Sequence, residues 1–136
     1  MLTLPHRDEF RGYCPNSEQI DEYWSIAAPL LQKALDRGSD YTLDDIYTGL
    51  KSTEMQLWMW SDEMALVTKL ENKDERRWCL LLALGGDNME NWIYHLPLVE
   101  DWARDKGCDE MRIYGRAGWS RKIGYHIGWS MMSKQL

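Results

Sequence analysis

A chain of 136 residues is the length of one domain, since single cores run to about 100 to 200 residues. With 44% hydrophobic and 28% charged residues it falls outside the disordered, collagen-like and coiled-coil classes, and no apolar run approaches the roughly 18 to 20 residues of a membrane span. A net charge of −6 argues against non-specific affinity for nucleic acid or an anionic membrane.

The opening MLTLPHRDEF lacks the long apolar stretch of a signal peptide, so the expected location is one reached without secretion. Residues 1–15 carry Pro5, Gly12 and Pro15 among charged side chains and read as an irregular arm of a single 1–136 domain. Asn16 with Gln19 is a capping-box pattern, followed by Ile20, Tyr23, Trp24, Ala27, Leu30, Leu31, Ala34 and Leu35 at helical spacing. Pro29 bends this first helix and Gly38 closes it. Thr42 and Asp45 cap a short second helix through Leu43, Ile46, Tyr47 and Leu50, ending near Lys51.

From Met55 the period changes to two. Met55, Leu57 and Met59 point one way and Gln56, Trp58 and Trp60 the other, which predicts a strand with two distinct faces. A turn at Ser61 to Glu63 leads to a second strand, Met64 to Leu70, and a turn at Asn72 to Asp74 leads to a third. That third segment, Trp78 to Leu84, is a nearly continuous apolar run, the pattern of a central strand covered on both faces. Asp87 and Glu90 form another capping pattern before Met89, Trp92, Ile93, Leu96, Val99 and Ala103, so the main helix is predicted to run on to Gly107 with Pro97 as a kink. Cys108 to Tyr114 reads as a strand joined by a parallel crossover. A short helix over Gly115 to Ile123, a break at Gly124 and a last strand over His126 to Lys134 complete the reading.

Three cysteines, Cys14, Cys79 and Cys108, fit neither a disulfide framework nor a zinc knuckle and read as free buried thiols. The histidines His6, His95 and His126 are isolated from one another and lack metal-ligand spacing. From Glu110 onward five basic residues face one acidic residue, a net of +4 against −10 for the remainder. Eight Trp and seven Tyr stand against one Phe, and such amphipathic aromatics suit either a compact core or a contact surface.

The order helix, helix, three strands, helix, strand, short helix, strand resembles that of the GNAT acyltransferase superfamily over residues 16–134. Gly124 and Tyr125 stand where that superfamily often has a Gly-Phe pair. Ile113-Tyr-Gly-Arg-Ala-Gly-Trp119 followed by Gly124-Tyr125 is similar to a pattern in small GNAT-like proteins of tailed bacteriophages. The resemblance implies an α+β fold with a central mixed sheet of about five to six strands, two N-terminal helices, one main crossover helix and a short C-terminal helix. It also implies acetyl-CoA as the cofactor of any enzyme of this type.

In those acyltransferases the turn after the central strand carries Arg or Gln, two positions, Gly, one position, then Gly or Ala. There the glycines and the free amides of the helix N-terminus hold a pyrophosphate. Here the turn reads Leu84-Gly-Gly-Asp-Asn-Met-Glu-Asn91, with Asp87 and Glu90 bringing negative charge. A coenzyme site would therefore comprise Gly85, Gly86, Asp87, Asn88 and Met89, with Arg116 or Arg121 on a phosphate. Acyl transfer also needs a base, yet Trp78 to Leu84 contains no carboxylate, leaving Glu71 or Glu75 by neighbourhood and Tyr114 or Tyr125 as imperfect acids.

The sequence thus keeps three readings open. The first is a non-catalytic, phage-type binding or structural component, in the virion or the host cytoplasm. It has no cofactor and engages a protein partner or its own copies through Trp58, Trp60, Arg112, Trp119 and Trp129, with Arg116 and Arg121 nearby. The second is a divergent acyl-CoA-dependent N-acyltransferase. The third is a phage-encoded inhibitor of a host protein with the same fold.

Overall fold

The computed structural model describes residues 11–14, 17–36, 41–60, 63–86, 94–114, 126–128 and 131–136. Among them are seven strands and three helices. In chain order these are β1 (Arg11–Cys14), α1 (Ser17–Leu35), α2 (Leu43–Lys51), β2 (Met55–Trp60), β3 (Met64–Lys73), β4 (Arg76–Gly86), α3 (Leu96–Asp105), β5 (Glu110–Tyr114), β6 (His126–Gly128) and β7 (Met131–Gln135). The strands hydrogen-bond in the order β1-β2-β3-β4-β5-β7-β6. The class is α+β with a mixed sheet, as expected, and the described residues contain seven strands where about five to six were expected.

The chain divides into two compact units, one of residues 1–68 and 83–89 and one of residues 69–82 and 90–136, so β3 and β4 each contribute to both. In the first unit, α1 buries Ile20, Tyr23, Ala27, Leu30, Leu31 and Leu35 along one stripe. Pro29 sits inside α1 on its exposed side, one turn after the exposed Ser25, whose carbonyl has no proline N–H to accept from. α2 begins with the capping box anticipated from sequence: the Asp45 amide donates to Thr42 Oγ1 at 3.1 Å, and the Thr42 amide donates to Asp45 Oδ2 at 2.9 Å.

Arg11–Cys14, within the expected irregular arm, instead pairs antiparallel with β2, from Arg11 opposite Trp60 to Cys14 opposite Leu57. This pairing makes β2 an inner strand, and all six of its residues are buried.

In the second unit, β3 and β4 meet at Asp74 and Glu75, whose φ angles of 52° and 68° are those of a two-residue hairpin turn. β4 and β5 are parallel, with Trp78 opposite Glu110 and Leu81 opposite Ile113, as the crossover reading requires. α3 joins them and buries Leu96, Val99, Glu100 and Ala103. It starts at Leu96, so Pro97 is the second helical residue and not a kink, a position where a missing N–H costs nothing. Gly107, at φ 82°, follows the helix end as expected.

The stretch expected as one final strand is two, β6 and β7, paired antiparallel with Gly128 opposite Met131. β7 in turn pairs antiparallel with β5. The expected short helix over Gly115 to Ile123 lies outside the described residues, as do Asn16, Gly38, Ser61, Asp62 and the predicted helical turns before Tyr94.

Candidate functional site

Two glycines of the expected cofactor turn are described, and both are explained by packing. A Cβ placed on Gly85 would overlap the Leu30 carbonyl oxygen of α1 and come within 2.7 Å of its carbon. A Cβ on Gly86 would overlap the Glu63 carbonyl oxygen and lie 2.8 Å from Met64 Cγ and 2.9 Å from Met64 Cα. All of these but Met64 Cγ are backbone atoms, which cannot swing aside as the tip of a side chain does. The remaining turn residues, Asp87, Asn88 and Met89, lie outside the described residues.

Trp58 and Trp60, expected on a contact surface, are core residues with 1% and 5% of their area exposed. Their rings stack at 6.3 Å with an interplanar angle of 15°. The Trp58 indole N–H donates to Thr68 Oγ1 at 3.0 Å, and that hydroxyl donates to Gln56 Oε1 at 2.9 Å. The chain of bonds explains how Gln56 and Thr68 are buried on apolar strands without leaving these groups unpaired. Alternation could not distinguish this arrangement from an exposed aromatic face, because both sets of β2 side chains are mostly apolar.

In the second unit the sequence-predicted Arg112 belongs to a cluster that spacing alone did not reveal. Glu110 is buried, and its Oε1 accepts from Arg112 Nε at 2.7 Å. Its Oε2 accepts from Arg76 Nη2 at 2.8 Å and from Gln135 Nε2 at 3.1 Å. The Arg112 guanidinium lies 3.8 Å from the centroid of the Trp78 ring, a cation–π contact. Trp78 is itself fixed by its indole N–H, which donates to Glu71 Oε1 at 2.8 Å. The register places Trp78 opposite Glu110 and Gln135 opposite Glu110, which is why residues distant in sequence converge here.

Of the sequence candidates for a base, Glu71 is therefore engaged with Trp78, and Glu75 is exposed at the hairpin tip. Cys79 and Cys108 are buried and not disulfide-bonded, and burial is the main cause that raises the Cys108 thiol above its ordinary value. Trp119, Trp129, Arg116, Arg121 and Tyr125 lie outside the described residues. Among the described residues no group of His, Cys, Asp or Glu could hold a metal ion. None of the described helices is long and apolar enough to cross a membrane.

A third polar group joins α1 to α2 at the surface. Asp21 accepts from Lys51 Nζ and from the Tyr47 hydroxyl, each at 2.6 Å, and Trp24 packs on Tyr47 with ring centroids 5.2 Å apart. The Lys51 hydrogen bond, then that of Tyr47, holds the Asp21 carboxyl below its usual value, and Asp21 in turn raises Tyr47. A depressed carboxyl contributes stability above the unfolded value of 3.8, and that contribution is lost as pH falls through the folded one. Wild type is accordingly expected to melt above Asp21→Asn at pH 7, by a small margin that added salt reduces and acid below pH 3.8 removes. Melting curves at pH 7 and at acid pH, with and without salt, check this, and a difference that persists in acid contradicts it.

No protein-family profile and no curated protein matches the sequence. Four solved chains match in structure. One is an acetyltransferase of the GNAT family from Listeria monocytogenes 4b F2365, with a TM-score of 0.61 over 93% of this chain and 95% of that one. Sequence identity is 8%, so the likeness establishes a GNAT-like fold and nothing about activity.

Proposed function

We propose that this GNAT-fold chain is a single-domain, non-catalytic binding or structural component of the kind tailed bacteriophages encode, acting in the virion or the host cytoplasm. The observation that carries the reading is the end of β4. Gly85 and Gly86 are needed where Leu30 and Glu63 backbone approaches them, so their presence requires no cofactor. β4 also supplies no carboxylate to deprotonate an incoming amine, and both oxygens of Glu110 on β5 are engaged by arginine or glutamine. The phage assignment draws on the Ile113 to Trp119 pattern with Gly124-Tyr125. The partner is a protein or further copies of the chain, contacted through Arg112, Trp119 and Trp129; the buried Trp58 and Trp60 drop out of that surface.

The name of the structural neighbour favours a second reading, an acyl-CoA-dependent N-acyltransferase. In that case Gly85, Gly86 and the amides of Asp87, Asn88 and Met89 would cradle the coenzyme, with Arg116 or Arg121 on a phosphate. Thiol release from acetyl-CoA separates the two readings when lysine, spermidine or a peptide with a free amino terminus is offered as acceptor. The non-catalytic reading expects the rate of the protein-free blank. Release in proportion to the amount of chain, with a product acylated on nitrogen, contradicts it.

A further inference from the structure

We propose that Arg76 and Arg112 form a preformed oxyanion site at the amino ends of the parallel strands β4 and β5, taking a carboxylate or phosphate group of a ligand. The proposal rests on the reading of Arg112 as a contact residue and names the chemistry it contacts.

The first argument is charge. Glu110 is one carboxylate serving two guanidiniums, Arg112 Nε on one oxygen and Arg76 Nη2 on the other. The neighbouring Lys69 and Glu71, 3.9 Å apart, offset each other. These five side chains carry a formal charge of +1 on a protein whose net charge is −6. The second argument is donor capacity. A guanidinium has five N–H donors in a planar fork, and the bond to Glu110 uses the Nε–H of Arg112. Solvent reaches both side chains, Arg76 at 52% exposure and Arg112 at 23%.

The third argument is rigidity. An exposed arginine ordinarily loses much rotamer freedom when it binds, but these two are already held. Glu110 is buried and also receives Gln135, Trp78 supports the Arg112 plane at 3.8 Å, and Glu71 holds the Trp78 indole. An incoming oxyanion meets donors that need little reorganisation.

The test is a titration of the full chain, labelled with nitrogen-15, with inorganic phosphate and separately with succinate, following the Arg112 Nε–H and Trp78 indole N–H resonances. Both signals should move saturably with at least one probe below about 10 mM. Arg112→Lys keeps the charge but not the fork, and Arg76→Gln alters a half-exposed side chain; each should weaken binding about tenfold or more. Arg104→Gln, on α3 and paired with Asp101, should leave it unchanged. Response to phosphate alone or succinate alone supports the site and identifies which group it takes. No saturable movement with either probe overturns the proposal, as does an equal loss in Arg104→Gln, which would mean diffuse surface charge. Because neither probe is a coenzyme, failure here is distinct from coenzyme binding at the β4 turn.

Discussion

Gly85→Ala is expected to lower folding stability by about 3 kcal/mol, seen as a fall of roughly 10 °C in melting temperature. The added methyl group would meet the Leu30 carbonyl, and α1 can yield only by moving backbone that also carries the buried Leu30 and Leu31. The cause is contact and not torsion, since among the described glycines only Gly107 has positive φ. Gly107→Ala provides the contrast: nothing lies within 4 Å of its Cβ position, so its effect arises from left-handed backbone alone, about 1 kcal/mol. Thermal melts of the two variants compare these causes directly. A Gly85→Ala protein as stable as wild type contradicts the close approach of β4 to α1. The same crowding means that bulky substitutions at Gly85 or Gly86 report on folding before they report on any ligand.

Trp58→Ala is expected to remove about 3 to 5 kcal/mol, the range for truncating a large buried aromatic side chain. Thr68→Val keeps the shape but removes the hydroxyl through which the Trp58 indole and Gln56 are joined, with an expected loss of about 1 to 3 kcal/mol. The two effects are not additive, because both substitutions break the same bond. Urea denaturation of the two single variants and the double variant measures the coupling. A Trp58→Ala loss under about 0.5 kcal/mol would mark an exposed residue and contradict the buried position described above.

Local signals in the sequence were legible where their physics is local. The Thr42–Asp45 capping box involves four successive residues and is present bond for bond. The apolar run of β4 and its parallel pairing with β5 followed from composition and from the length of the crossover. Other features depended on partners that sequence does not name. Arg11–Cys14 contains Gly12 and precedes Pro15, which read as loop punctuation, and only pairing with β2 makes it a strand. Trp58 and Trp60 alternate with methionine and leucine, so no polar face indicated that both sides of β2 are covered. Pro97 suits a first helical turn as well as it suits a kink, and the difference was set by where α3 begins. Nothing in the alternation over His126 to Lys134 separates β6 from β7; Gly128, the last residue of β6, is the one local signal of an ending.

The candidate sites divide the same way. The glycine pair stood out as a motif, but the reason for it lies in Leu30 and Glu63, far away in sequence. The Glu110 cluster joins four elements, β3, β4, β5 and β7, and becomes visible only once their register is known. A Glu-x-Arg pair on one strand with Arg-x-Trp on another is the signal that could have suggested it, given parallel pairing of the two.

The proposed function turns on Gly85 and Gly86, at the end of β4, serving packing and not a coenzyme. Isothermal titration of the purified chain with acetyl-CoA and with free coenzyme A tests it most directly. The account predicts no saturable heat up to about millimolar ligand. Saturable one-to-one binding at about micromolar strength would contradict it and make the acyltransferase reading the leading one.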